Sequence, residues 1–353
     1  MRKAADTHGL PGKSREYAAA GVDLDAAEAA KQRIGELVAG ARTALSTGKV
    51  GAFGGMVRIP AGMRKPTLVL STDGVGTKVL VAMQAQRFDT VGEDLVNHSV
   101  NDILVHGATP LAFMDYIAGA ALGVEQIAGI VEGIVRGCRA HQMALAGGET
   151  AQMPGLYQPG TYDLAGTIVG VVEEDRAIHG DAITPGDVLL GYASTGLHTN
   201  GYTLARRIVF QQMGLDLADQ LGDTGQTVAQ ALLAVHRSYY RSVVPVLHRM
   251  HGLAHITGGG IGGNLVRILP AESQATVDPD SWELPPLFTT LQQAGRVSTG
   301  EMRDVFNLGV GLIAVLPPDA VAAAQSAAAS DGVPTWVMGE IHRGSRTVRF
   351  ARP

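Results

Sequence analysis

The chain has 353 residues, 46% of them hydrophobic and 17% charged, with 46 glycines and a net charge of −5. That length exceeds the usual single core, so two domains are expected, and the composition excludes a disordered chain. The absence of a Lys/Arg stripe interleaved with aromatics argues against nucleic acid as a partner, and no apolar run approaches a membrane span.

The polar start from Met1 to Tyr17 lacks the apolar stretch of a signal peptide. Cys138, the one cysteine, rules out an internal disulfide framework and fits a reducing cytosol. Residues 18–45 carry Ala27, Ala30, Ile34, Leu37 and Val38 at helical spacing, and a glycine-rich loop, a candidate lid, follows at Gly48, Gly51, Gly54 and Gly55. Strand and helix signals then alternate: a strand at 67–70, helices near 79–86 and 91–105, a strand at 111–117, a helix at 124–140, a strand near 143–146 and an apolar run at 164–172. The acidic, turn-rich stretch at 173–187 marks the domain boundary. Beyond it come a strand at 188–193, a helix at 201–213, helices within 228–250, a strand running into Thr257-Gly258-Gly259-Gly260, and strands at 310–316 and 335–341. The alanine-rich stretch at 320–329 reads as a surface helix. The expected fold is therefore mixed α/β, with domains at 1–172 and 173–353.

Chemistry concentrates where strands end. Ser71-Thr72-Asp73-Gly74-Val75-Gly76-Thr77-Lys78 places a carboxylate, two glycines, a hydroxyl and an ammonium at one strand end. Backbone N–H groups at Gly74 and Gly76 can approach an anion, Asp73 can hold a hard cation, and Lys78 can balance phosphate charge. The spacing is not that of a Walker P-loop, and an ordinary tight turn is the plainer alternative. A 100° step along 91–105 gathers Asp94, Asn97, His98, Asn101 and Asp102 on one helix face. Asn and Asp are poor mid-helix residues, so this face is expected to line a site rather than meet solvent, with Asp102 joining Asp73 around Mg²⁺. His98 can ligate zinc but is more often a hydrogen-bonding residue, and it stays outside the catalytic set.

Gly147-Gly148-Glu149-Thr150, running on to Pro154-Gly155, offers Glu149 as a third carboxylate or is simple turn punctuation. Ser194 to Tyr202 sits at a strand-loop-helix junction suited to phosphate, with His198 as acid/base candidate and Asn200 as either a site residue or the helix cap. His255-Ile256-Thr257-Gly258-Gly259-Gly260 is a weaker parallel case.

Together these motifs resemble the phosphoribosylformylglycinamidine cyclo-ligase family. The matching pieces are Tyr17–Asp23, Gly51–Gly55, Asp73–Lys78, Val100–Ile103 with Gly107-Ala108, Gly147–Gly155, His198–Tyr202, His255–Gly260 and Phe306–Gly309. The resemblance implies two α/β domains, a homodimer whose N-terminal sheets join into a barrel, and use of ATP and Mg²⁺ on a small phosphoribosyl substrate in the cytoplasm. It further implies Asp73, Asp102 and Glu149 at the metal. Gly54, Gly55, Gly74, Gly76, Thr77, Lys78, Gly148 and Thr150 would contact the nucleotide, and His198, Lys78 and Asn200 would serve the chemistry. Gly35, Gln152 and Gly263 depart from the family's pattern. The alternatives are another ATP-using member of the superfamily, such as a selenophosphate synthetase, which needs a reactive cysteine, and an inactive nucleotide-binding scaffold.

Overall fold

The computed structural model describes residues 24–48 and 52–351. The Tyr17–Asp23 motif and residues 49–51 of the glycine-rich loop lie outside them. The first helix, α1, spans Leu24–Ala39. It is followed by β1 (Pro66–Gly74), α2 (Lys78–Ala85), α3 (Asp89–Leu104), β2 (Thr109–Gly119), α4 (Val124–Ala140), β3 (Ala144–Gln152) and β4 (Tyr162–Glu173). These strands form one sheet in the order β1-β4-β2-β3, with α3 and α4 on one face.

Side chains alternate across a strand. Phe113, Ile117, Leu164 and Ile168 therefore point together into the helix-covered core, where all are buried. The helices approach backbone to backbone at two glycines. A Cβ on Gly92 of α3 would collide with the Ile130 carbonyl of α4, and one on Gly133 of α4 with the Asp89 carbonyl of α3. That contact lets Ile130 and Ile134 bury completely, each worth roughly 1.5–3 kcal/mol. Alanine at either Gly92 or Gly133 would prise the layer apart.

The second half supplies β5 (Val188–Ala193), a short α5 (Tyr202–Arg206) continued by a π-turn at Arg207–Gln212, α6 (Val228–Leu232), α7 (Tyr240–Val243), β6 (Gly252–His255), α8 (Gly260–Leu265) and β7 (Ser273–Val277). It closes with α9 (Pro286–Gly295), α10 (Thr299–Val305), β8 (Val310–Leu316), α11 (Val321–Ser330), β9 (Thr335–Arg343) and β10 (Thr347–Phe350). Its sheet runs β10-β7-β9-β5-β8-β6. β8 reads Val-Gly-Leu-Ile-Ala-Val-Leu and is buried along its whole length, as a central strand covered on both faces must be. One apolar cluster joins the halves, with Leu95 and Val96 of α3 in the same core as Leu197, Tyr202 and Phe288.

The structure differs from the sequence reading at four points. β3 continues straight through Gly147-Gly148-Glu149-Thr150, so that run is strand and not turn punctuation. The glycine run after Gly259 forms helix α8, to which the sequence reading assigned no element. The alanine-rich helix is not wholly a surface element, because Ala324 and Ala328 are buried under the second sheet. β7 and β10 had no counterpart in the sequence reading.

Candidate functional site

The polar face of α3 is buried rather than solvated. Asp94 and Asn101 are fully covered, and His98 and Asn97 nearly so. This face docks onto residues 234–239, an irregular segment whose backbone groups have no ladder of their own. Asn97 Nδ2 donates to the His236 carbonyl at 2.8 Å, Asn101 Nδ2 donates to that of Arg237 at 2.8 Å, and Asn101 Oδ1 accepts from Tyr239 N–H at 3.0 Å. Asp94 Oδ1 accepts from His236 N–H at 2.6 Å. Short amide and carboxylate side chains are what such buried backbone requires.

Lys78 follows the same logic, and the sequence-level expectation for it needs correction. Its ammonium is fully buried, 2.7 Å from Asp94 Oδ2, and donates to the carbonyls of His198 at 3.1 Å and Ala234 at 2.7 Å. It ties α2 and α3 to two loops of the second half and reaches no cavity where a phosphate would lie. Burial drives both partners toward neutrality: the Lys78 pKa falls, and that of Asp94 rises to about 6 against the pull of Lys78. The His198 carbonyl that Lys78 holds belongs to a residue at φ +60°, a left-handed conformation rare outside glycine.

Asp73, at the end of β1, and Asp102, in the last turn of α3, do converge. Their side chains are 46% and 22% exposed, and both line a cleft of about 510 Å³ between the two sheets. A continuous polar chain joins them through the protein. Asp73 Oδ2 lies 2.8 Å from His98 Nε2, His98 Nδ1 is 2.8 Å from Thr199 Oγ1, and Thr199 Oγ1 is 3.3 Å from His236 Nδ1. His236 Nε2 then meets His255 Nε2 at 3.1 Å, and His255 Nδ1 reaches Asp102 Oδ1 at 2.8 Å. Ser71 Oγ donates to Asp102 Oδ2 at 2.9 Å.

Burial pushes both carboxyls up, but the imidazoles outweigh it. Asp102 is held at about 2 by His255, His98 and Ser71, and Asp73 is lowered by His98. Burial pushes His98 down, yet Asp73 and Asp102 leave it net raised. His255 ends below its ordinary value because burial prevails over Asp102.

His198 itself sits behind this chain. It is 1% exposed, stacks on His236 with ring centroids 3.9 Å apart, and accepts from Thr195 N–H through Nε2 at 3.2 Å. Burial and the neighbouring cations push its pKa well below the usual range, so it stands as a neutral imidazole. His255, unlike His198, lines the cleft. His236, which sequence reasoning missed, carries no motif around it.

Asn200 does not cap α5, whose cap is Gly201, and its buried Nδ2 has no partner. Its Oδ1 faces Gly258, which aims it at the glycine run beside the cleft. Gly74, Gly76 and Thr77 follow Asp73 directly, with Gly76 at φ +55° and Thr77 Oγ1 3.2 Å from Thr203 Oγ1.

Glu149 is not with the other carboxylates. Asp73 pairs with Gly166, Gly166 with Asp115 and Asp115 with Gly148. Glu149 is thus three strands away, roughly 14 Å at the usual strand spacing, and one residue out of phase, on the opposite face of the sheet. Gly148, Thr150, Gly54 and Gly55 lie at that far edge with it; a Cβ on Gly55 would collide with the Ala146 carbonyl of β3. The departures at Gly35 and Gly263 fall where an added Cβ would meet nothing, and Gln152 Nε2 donates to the Leu122 carbonyl at 3.4 Å. Cys138 is buried with its thiol pushed well up, so it offers no reactive sulfur. No helix among the described residues is long and apolar enough to cross a membrane.

The chain is similar to known proteins along most of its length. The family model "AIR synthase related protein, N-terminal domain" matches residues 54–172, and its C-terminal counterpart matches 184–351. The chain is 46% identical over 329 residues to a phosphoribosylformylglycinamidine cyclo-ligase of Sorangium cellulosum, covering 92% of this chain and 94% of that protein. It is 46% identical to another of that name from Trichlorobacter lovleyi, covering 94% and 95%. Among solved structures it is similar in fold to a thiamine-monophosphate kinase from Stenotrophomonas maltophilia, with TM-score 0.68, 20% identity and coverage of 92% and 96%. It is likewise similar to the hydrogenase maturation protein HypE in complex with ATP, with TM-score 0.62, 17% identity and coverage of 89% and 88%.

Proposed function

The chain belongs to the AIR synthase related family, within it to the phosphoribosylformylglycinamidine cyclo-ligases, and from that premise we propose how its own residues close the ring. The activity is that of the cyclo-ligase of purine biosynthesis: formylglycinamidine ribonucleotide and ATP give aminoimidazole ribonucleotide, ADP and phosphate. The observation that carries the assignment of this cleft is the convergence of Asp73, Asp102 and His255 on one cavity between the two sheets.

An amide oxygen is a poor leaving group. Transfer of the γ-phosphoryl to the formyl oxygen makes it a good one, breaking the bond to ADP. The ribosyl-bearing amidine nitrogen then bonds to the formyl carbon, and the carbon–oxygen bond breaks to release phosphate. Closure is intramolecular, so holding the substrate in one geometry supplies much of the rate.

The oxygen donors of Asp73 and Asp102 suit Mg²⁺, and both keep lone pairs toward the cleft. When bound there, Mg²⁺ neutralises phosphate charge during transfer. His98 and His255 orient the two carboxylates from behind. Asn200 with the 74–77 backbone borders the nucleotide.

The 1–172 part then supplies the carboxylates and the 173–353 part His255 and the opposing wall. Two edges, β1 and β3, remain open in the first sheet, and its uncovered face presents Leu68, Leu70, Met114 and Tyr116. A two-fold homodimer that joins β1 of one protomer to β3 of its partner closes an eight-stranded barrel over this face. It also brings the Gly148–Thr150 backbone of one protomer beside the partner's β1. We place the protein in the cytoplasm on its lone, buried thiol.

The direct test is incubation with ATP, Mg²⁺ and formylglycinamidine ribonucleotide. Aminoimidazole ribonucleotide and substrate-dependent ADP are expected, and nucleotide binding without product would remove the reading.

A further inference from the structure

Besides Asp73 and Asp102, the cleft is lined by one arginine, Arg267, and by His179 and His106. His106 lies one turn beyond Asp102, just past the end of α3. Its Nδ1 faces the Ile178 carbonyl at 3.2 Å while Ile178 N–H donates to the His106 carbonyl at 3.2 Å, so the inter-domain connection is fastened to the helix end. The same connection is pressed against the turn after α8: at Gly180, φ +89°, a Cβ would collide with the Ile268 carbonyl. His179 is thereby set beside His106, with ring centroids 6.3 Å apart, and next to the Arg267 turn.

That turn is built to present its arginine. Arg346 donates to the Val266 and Arg267 carbonyls at 3.0 and 2.6 Å, fixing the backbone from behind. Asn264, which donates to the Gly260 carbonyl at 2.8 Å, steers Arg267 by accepting from its Nη1 at 3.3 Å. Arg267 has no carboxylate partner among the described residues. A guanidinium held at a cleft without a counter-ion, with two imidazoles beside it, matches a phosphomonoester dianion.

We propose that Arg267, with His179 and His106, is the subsite for the 5′-phosphate of the substrate's ribose. The assignment rests on the cyclo-ligase reading, and it follows from charge. The transferring phosphoryl group belongs at the carboxylate side with its cation. The substrate's own dianion, separated from the reacting formyl group by the ribose and glycinamidine chain, requires a cationic group of its own, which Arg267 supplies at the cleft.

The experiment compares wild type and Arg267→Ala with the ribonucleotide, with its dephosphorylated nucleoside, and with ribose 5-phosphate as a binding probe by calorimetry. For Arg267→Ala, kcat/KM for the ribonucleotide falls about 10- to 100-fold, mainly through KM, as expected for loss of charge-assisted hydrogen bonds. The KM for ATP stays within about twofold, activity on the nucleoside is unchanged, and ribose 5-phosphate binding is lost. Arg267→Lys recovers part of the affinity, and His179→Ala shows a smaller loss of the same kind. A rise in the ATP KM would reassign the arginine to the nucleotide, and equal losses on ribonucleotide and nucleoside would make it structural; either overturns the proposal. Should wild type form no product, the cyclo-ligase reading falls by itself, and the ribose 5-phosphate titration still decides the subsite: undiminished binding to Arg267→Ala overturns it.

Discussion

Among single residues, Asp73 and Asp102 were legible because their chemistry does not depend on context: a carboxylate at a strand end and another amid mid-helix asparagines have few structural uses. Lys78 was misread for the converse reason. An ammonium four residues after a glycine reads as a phosphate ligand, and only the fold brings Asp94 and two carbonyls around it. Lys78→Met should therefore act on stability first. Removing one partner of a buried pair leaves an uncompensated charge, costing about 3–5 kcal/mol, and the double change with Asp94→Leu should restore much of it. Urea denaturation of the three variants checks this; a stable Lys78→Met protein with a raised ATP KM would return the lysine to the phosphates. Asp73→Asn should cut Mg·ATP turnover by at least tenfold with little loss of fold, since its side chain is half exposed, read from ADP release across a Mg²⁺ titration. His255→Ala should slow turnover more than it weakens ATP binding.

Periodicity located most of the larger elements. α4 matches its expected span, because apolar residues recur at helical spacing from Ile127 to Val135 with Gly123 before them. α8 and the far half of β3 were lost to their glycines, which signal turns locally but here allow close packing. The purpose of the α3 face was legible, its partner was not: the sequence marks Asn97 and Asn101 as unusual without revealing the 234–239 segment they satisfy. One consequence of this interface is pH-dependent. His141 donates through Nε2 to Asn97 Oδ1 at 3.3 Å, and burial, with Arg241 nearby, pushes its pKa down from 6.5 to about 4. The unfolded chain binds the proton first, so this stability is present above pH 6.5 and is lost as pH falls toward 4. The loss is at most roughly 3 kcal/mol. Chemical denaturation of His141→Gln should show a flatter stability profile between pH 4 and 6.5; an unchanged slope would acquit the histidine.

For the whole molecule, two α/β layers with a cleft between them followed from the alternation of strand and helix signals, whereas the separation of Glu149 from Asp73 did not, since strand order is not written in local sequence. In the proposed dimer, assembly is part of the site. Leu70 is 62% exposed on the uncovered face of the edge strand β1, and Leu70→Asp should convert a dimer to a monomer in sedimentation velocity and abolish turnover together with it; an active monomer would show that one chain suffices. The central claim is that the cleft activates an amide oxygen by phosphorylation before the ring closes. Substrate labelled with ¹⁸O at the formyl oxygen tests it most directly: after turnover the label should be found in inorganic phosphate, one atom per product formed, and its appearance in water would contradict the mechanism.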